Sequence, residues 1–302
     1  MDAATLALDP LRFYTVVTAI GFGLMGLVIA GLRVAVAWTP YRTWLVMLPV
    51  VFAALWLGTL GWAALVTIVS IYAFKEFAKA TGLYRETLFV LVVYAAIIAM
   101  NLFAYLPYYG FFMVAPLWAV AALTLIPILL NRTAGMLQAF ALSVVGVVYF
   151  AWFLGHLTYL AHAPAGLGFV IYVVLATQFN DALAFLFGKK IGRHHWTVIS
   201  PNKTVEGSLF ALATSIVLAF LNWGIAFPQL PWWGVLAAGV IVGIGGQIGD
   251  LTMANVKRNV GIKDFGTLLP GHGGILDRVN SLMLVAPVFF HFMGYFFGAF
   301  PG

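Results

Sequence analysis

Four segments of the 302-residue chain set carboxylates among cations and glycines. In QFNDALAFLFGKKIGRH, residues 178–194, Asn180 and Asp181 interrupt an apolar stretch. A carboxylate there is costly unless it faces protein, water or a cation. Asp181 shares a helix face with Phe185 and Gly188, leading to Lys189, Lys190 and Arg193. In ISPNKTVEGSLFAL, residues 199–212, Ser200 and Pro201 fit an N-cap and first helical position. That spacing predicts a helix whose first turn, with Lys203 and Thr204, offers free N–H groups to a phosphate. Caps of this kind are common, and Glu206 and Gly207 add the sharper signal. In GGQIGDLTMANVKR, residues 245–258, Asp250 shares one helix face with Ala254, Lys257 and Arg258. That face could hold a metal with its phosphate ligands, or close an internal salt bridge from Asp250 to Lys257 or Arg258. Lastly, DFGTLLPGHGGILDRVN, residues 264–280, is dense in glycine. Gly271, Gly273 and Gly274 let the backbone approach an anion closely, and Asp277 and Asn280 follow at i and i+3 with Arg278 beside them. Oxygen ligands from Asp250, Asp277 and Asn280 would suit Mg²⁺ shared with substrate phosphates. His194 and His195 lie far from His272, so no all-histidine zinc site is expected. Together the segments suit phosphoryl or nucleotidyl transfer, in which a protein mainly positions groups and stabilises charge.

The elements that must position these residues are membrane helices. The chain is 64% hydrophobic and 8% charged, too few charges to clothe a soluble domain of this size. It reads as all-α and polytopic, with about ten spans near residues 11–32, 43–58, 60–74, 87–106, 110–130, 134–158, 167–187, 207–226, 232–253 and 280–299. The second and third are short enough to be tilted or re-entrant. The acidic start MDAATLALDP lacks a basic n-region, so the first span reads as a retained anchor. In alternate loops of this arrangement fourteen lysines and arginines fall on one side and only Arg12 on the other. That asymmetry places the basic loops, with the four segments, in the cytoplasm and both termini outside. The charge of +6 is concentrated on one face, suited to anionic headgroups and nucleotides. Nucleic acid is not an expected partner, because no basic arm or soluble domain exists to hold it. Zero cysteine excludes disulfides, thiolate metal sites and a cysteine nucleophile. Residues 1–175 read as a transmembrane packing region, with dimerisation as a further role. Residues 176–302 read as the catalytic region, because 176–281 hold five of nine acids and eight of fifteen bases.

The run ANVKRNVGIKDFGTLLPGHGGILDRVN, residues 254–280, resembles the signature of the phosphatidate cytidylyltransferases, also called CDP-diacylglycerol synthases. Their pattern reads S-x-hydrophobic-K-R-x-x-x-x-K-D, then P-G-H-G-G, then D-R-hydrophobic-D. NDALAFLFGKKIG, SPNKTVEG and GQIGDL look like three further blocks in the family's order, so the likeness extends from Asn180 to Asn280. It implies an inner-membrane enzyme, commonly dimeric and set among membrane lipids, that transfers CMP from CTP to phosphatidic acid and releases pyrophosphate, with Mg²⁺ as cofactor. It carries the metal-binding acids onto Asp250 and Asp277, with Asn280 at the third position. Catalytic positions fall on Asp250, Lys257, Arg258, Lys263, Asp264, His272 and Asp277. Substrate contacts fall on Asn180, Asp181, Ser200, Lys203, Thr204, Glu206, Gly271, Gly273, Gly274 and Arg278.

Two positions depart from the pattern. Ala254 stands for its serine and Asn280 for its last aspartate, which keeps an oxygen but removes a charge. Besides the family's usual reaction, this leaves a paralogue acting on another lipid phosphate, a CTP-dependent lipid kinase, or a weakly active lipid-binding relative. The intact KD and PGHGG argue against the last.

Overall fold

The structure, a computed structural model, describes residues 10–31, 35–163 and 166–298; Arg33 and residues 1–9 fall outside them. Among the described residues ten apolar helices cover the expected spans. They are α1 Pro10–Gly31, α2 Ala35–Trp56, α3 Gly58–Ala80, α4 Thr87–Tyr105, α5 Tyr109–Leu130, α6 Met136–Leu160, α7 Gly166–Ile191, α8 Val205–Leu221, α9 Trp232–Asn259 and α10 Leu276–Phe297. Eight are long and apolar enough to cross a membrane; the apolar part of α2 is Tyr41–Trp56, and α8 is also shorter. The chain is an all-α polytopic membrane protein.

Several spans differ from their expected bounds: the second begins earlier, at Ala35, the ninth runs on to Asn259, and the third and eighth also shift. The third is longer, because Lys75, Glu76 and Lys79 are good helix formers that continue α3, with Phe77 and Ala78 buried between them. It closes at Gly82, φ +81°, whose N–H reaches Lys79 O at 3.3 Å. The eighth is shorter. Asn222 bonds back to Leu218 O through Nδ2 at 2.6 Å, and a separate turn, Trp223–Ala226, follows.

Membrane helices gain little by hiding apolar surface from one another, since lipid tails are equally apolar, and close contact over small residues holds them instead. A Cβ on Gly207 of α8 would lie 2.7 Å from Ala184 O and 2.8 Å from Gly188 Cα on α7. On Gly239 of α9 it would lie 2.6 Å from Ile216 Cα of α8, and on Gly249 of α9 it would lie 2.7 Å from Asn280 O of α10. Helices α7 to α10 therefore meet backbone to backbone. Helix α3 packs on the first turn of α10, and α6 packs along the rest of it. Helix α7 runs unbroken across residues 175–176, where the charge pattern divides the chain.

Several buried polar groups away from these contacts are paired, as a lipid environment favours, while Ser70 Oγ, Trp152 Nε1 and His162 Nε2 are buried without a partner. Thr158 donates to Asn101 Oδ1 at 2.6 Å. His156 binds Trp152 O through Nδ1 at 2.8 Å and faces His291 Nε2 at 3.2 Å, so one imidazole donates to the other.

Candidate functional site

The tight contact at Gly249 decides the centre of the site, because it sets Asp250 of α9 against the first turn of α10. Asn280 Nδ2 donates to Asp250 Oδ1 at 2.8 Å, and Lys203, from the segment before α8, pairs with Asp250 Oδ2 at 2.7 Å. Ser281, the next residue of α10, donates from Oγ to Asp181 Oδ2 of α7 at 2.6 Å. Asp181 also feels the charges of Asp250, Lys203 and Arg278. Asn180 turns to α8, where Ser215 Oγ donates to its Oδ1 at 3.2 Å. Two turns further along α9, Lys257 Nζ meets Asp277 Oδ1 at 2.9 Å. The other oxygen, Oδ2, accepts from Phe265 N at 2.9 Å and Gly274 N at 3.0 Å. The internal Asp250–Lys257 bridge that helical spacing allows is thus replaced by two long-range pairs, each lysine taking a carboxylate from a different segment.

Above this centre the chain from Lys263 to Gly274 folds into a tight loop. Leu269 N donates to Gly273 O at 2.9 Å, and His272 N donates to Leu269 O at 2.9 Å. Gly271 and Gly273 have φ of +75° and +80°, a left-handed conformation that a side chain would strain. The loop edges a cleft of about 500 Å³ lined by Lys263, Asp264, Thr267, His272 and Arg278. His272 Nδ1 and Arg278 Nε are buried there without a protein partner, as groups reserved for a ligand would be. Burial, then the neighbouring Arg278 charge, holds the His272 imidazole below the usual histidine range, which keeps it neutral at neutral pH. Helices α2 and α3 hold the loop from beneath. Thr43 donates to Pro270 O at 2.6 Å, Trp44 sets its edge against His272, and Glu76 accepts from Ile275 N at 3.1 Å and Leu276 N at 2.8 Å.

The SPNKTVEG segment is arranged differently from its sequence reading. The N-cap of α8 is Thr204, extended at φ −120° and ψ 154°, with Oγ1 accepting from Gly207 N at 3.2 Å. Ser200 instead accepts Lys203 N through its carbonyl at 2.9 Å in the preceding turn. Thr204 wins because its extended backbone lets the hydroxyl reach the third helical N–H. Lys203 is thereby left outside the helix, free to extend to Asp250. Glu206 reaches back to the end of α7, accepting from Arg193 N at 3.1 Å and His194 N at 3.2 Å and pairing with His194 Nδ1 at 2.5 Å. Arg258 donates from Nε to Ile199 O at 3.2 Å and so braces this connection. Ser200, Thr204, Glu206 and Arg258 shape the segment that delivers Lys203.

The pattern of the cytidylyltransferase family matches residues 38–296. The chain belongs to this family. It is 39% identical over 159 residues to a phosphatidate cytidylyltransferase of Staphylococcus haemolyticus strain JCSC1435, covering 52% of this chain and 60% of that protein. A phosphatidate cytidylyltransferase of Staphylococcus aureus strain COL is 38% identical over the same length and shares. The uncharacterized protein YnbB of Escherichia coli strain K12 is 36% identical over 191 residues, 61% of this chain and 64% of that protein. The chain thus spans about three fifths of the length of these relatives.

Within this cytidylyltransferase-family site the candidate metal donors divide. Among the described residues no group of three or more histidine, aspartate or glutamate side chains could hold an ion unaided. Mg²⁺ does not need one, since it usually takes one or two carboxylates plus substrate phosphates. Asp250 and Asp181, bridged by Asn280 and Ser281, fit that demand. Asp277 has both oxygens committed to three N–H donors. Asn280 presents its amide nitrogen to Asp250 and its oxygen to Ser281 N at 2.8 Å, so in this arrangement it orients the carboxylate. Glu76 is the participant that spacing hides, for it lies 199 residues before Ile275 between two lysines at a helix end.

Proposed function

We propose that this chain is a phosphatidate cytidylyltransferase, transferring CMP from CTP to phosphatidic acid to give CDP-diacylglycerol and pyrophosphate. The observation that carries the reading is the lysine–carboxylate centre, tied through Asp277 to a glycine loop whose cleft holds two unpartnered buried nitrogens, His272 Nδ1 and Arg278 Nε. Its membrane setting and the names of the staphylococcal relatives support the same reading.

In the reaction a phosphate oxygen of phosphatidic acid bonds to the α-phosphorus of CTP, and the bond from that phosphorus to the bridging oxygen breaks to release pyrophosphate. No protein nucleophile is needed. The chain's share is to bring two anions together and to offset charge as it moves onto the leaving group. Lys203, Lys257, Lys263 and Arg278 supply the cations, and the glycine-loop N–H groups supply close dipoles. Mg²⁺ arriving with CTP would neutralise phosphate charge, held by Asp250 with Asp181. The reading includes a cytoplasmic site in a bacterial inner membrane and a homodimer. Purified protein with CTP, Mg²⁺ and dioleoyl phosphatidic acid is expected to form CDP-diacylglycerol and pyrophosphate one to one. No product with phosphatidic acid, but turnover of another member of a lipid-phosphate panel, would reassign the substrate.

A further inference from the structure

A second space, almost wholly apolar, adjoins the cleft. It has a volume of about 340 Å³ and is walled by α2, α3, α6, α7 and the start of α10. Leu269 and Arg278 line both spaces, so the apolar chamber and the polar cleft meet at these side chains. The strongly polar members of the chamber wall are at that junction: Arg278, and Gln178, whose Nε2 donates to Arg278 O at 2.9 Å. Elsewhere the wall is aliphatic and aromatic. Val46 and Val50 of α2 and Ile68 of α3 line it while remaining 66%, 50% and 53% exposed, so the chamber opens toward the lipid-facing surface between those helices.

We propose that the chamber seats an acyl chain of the lipid substrate, entering between α2 and α3, with the phosphate drawn to Arg278 where chamber and cleft meet. The assignment rests on the lipid-phosphate reading above. An acyl chain gains little by leaving the bilayer for a valine- and leucine-lined wall, because the two media are alike. Selection must come from the charged end, where a guanidinium desolvated on its Nε side matches a phosphate monoester well. A zwitterionic lipid whose phosphate carries choline lacks the second exposed charge and is discriminated against. The chamber therefore orients the chain, and Arg278 chooses the headgroup.

Photolabelling of the full-length protein in nanodiscs with a phosphatidic acid bearing a diazirine acyl chain tests this without turnover. Adducts are expected on Val46–Val69 and Val170–Leu175, competed about tenfold better by dioleoyl phosphatidic acid than by dioleoyl phosphatidylcholine. Adducts confined to other helices, or equal competition by the two lipids, would overturn the chamber even if CTP is consumed. Chamber adducts in a protein that consumes no CTP support the lipid seat and refute the transferase reading. Filling the space with Val174→Phe should raise the ratio of KM for dioleoyl to dihexanoyl phosphatidic acid about tenfold. An unchanged ratio in a folded variant sinks the proposal.

Discussion

The Asp277 side chain is 3% exposed and accepts from Lys257, Phe265 N and Gly274 N, so it ties α9 to both ends of the glycine loop. Removing its cation leaves a buried charge uncompensated, which costs about 3–5 kcal/mol. Lys257→Met is therefore expected to lower the thermal midpoint of the detergent-purified protein and to abolish turnover, whereas a wild-type midpoint would show that the pair is not buried in solution. Asn280 poses the opposite case. Its amide donates to Asp250, so an aspartate there would set two carboxylates face to face with Lys203 as their shared cation. Asn280→Asp should consequently lower the Mg²⁺ concentration giving half-maximal activity several-fold, since added charge strengthens a site for a hard cation. A Mg²⁺ titration that does not move would place the ion away from Asp250.

At the scale of elements, the site depends on helix ends that only packing brings together. Glu76 accepts two N–H groups at the start of α10, and its carboxylate fills the space that side chains at Gly266 and Gly274 would need. Glutamine keeps the shape but turns one acceptor into a donor that opposes an N–H. Hydrogen bonds to charged groups are worth about 1.5–3 kcal/mol, so Glu76→Gln should cut turnover roughly tenfold or more, and unchanged kinetics would remove α3 from the site. The sequence makes Asp250, Lys257, Asp277 and the glycines legible because they are local, polar and set in apolar surroundings. It also makes the helices legible, since hydropathy needs no partner to be read. It leaves Glu76, the Lys203–Asp250 pair and the Thr204 cap unread for one physical reason. Each depends on which segment wins a contact: α3 against the loop, Lys203 against Lys257, Thr204 against Ser200. Periodicity fixes which face a residue occupies, while backbone contacts such as those at Gly207 and Gly249 fix what lies opposite.

The whole molecule carries a parity that follows from those contacts. The site joins the start of α2 through Thr43, the end of α3 through Glu76, the end of α7, the start of α8, the end of α9 and the start of α10. If all these ends lie on one face, α8 must carry the chain to the other face and α9 must bring it back, short as α8 is. The opposite ends agree. Tyr14 near the start of α1 hydrogen-bonds Asn222 at the end of α8, and Trp233 at the start of α9 packs on Phe297 at the end of α10, with ring centroids 5.1 Å apart. Ten crossings satisfy every one of these pairings, and the loss of α2 or α8 as a crossing would break them. In the proposed orientation the lysine- and arginine-rich loops are retained in the cytoplasm. The absence of cysteine makes the test clean. In the otherwise cysteine-free chain, Lys190→Cys, on the exposed end of α7, should react with a membrane-impermeant maleimide in inverted vesicles and not in right-side-out ones. Phe296→Cys, near the end of α10, should show the reverse. Labelling of both from the same side would refute the ten-crossing arrangement, whereas exchange of the two patterns would keep the parity and invert the protein in its membrane.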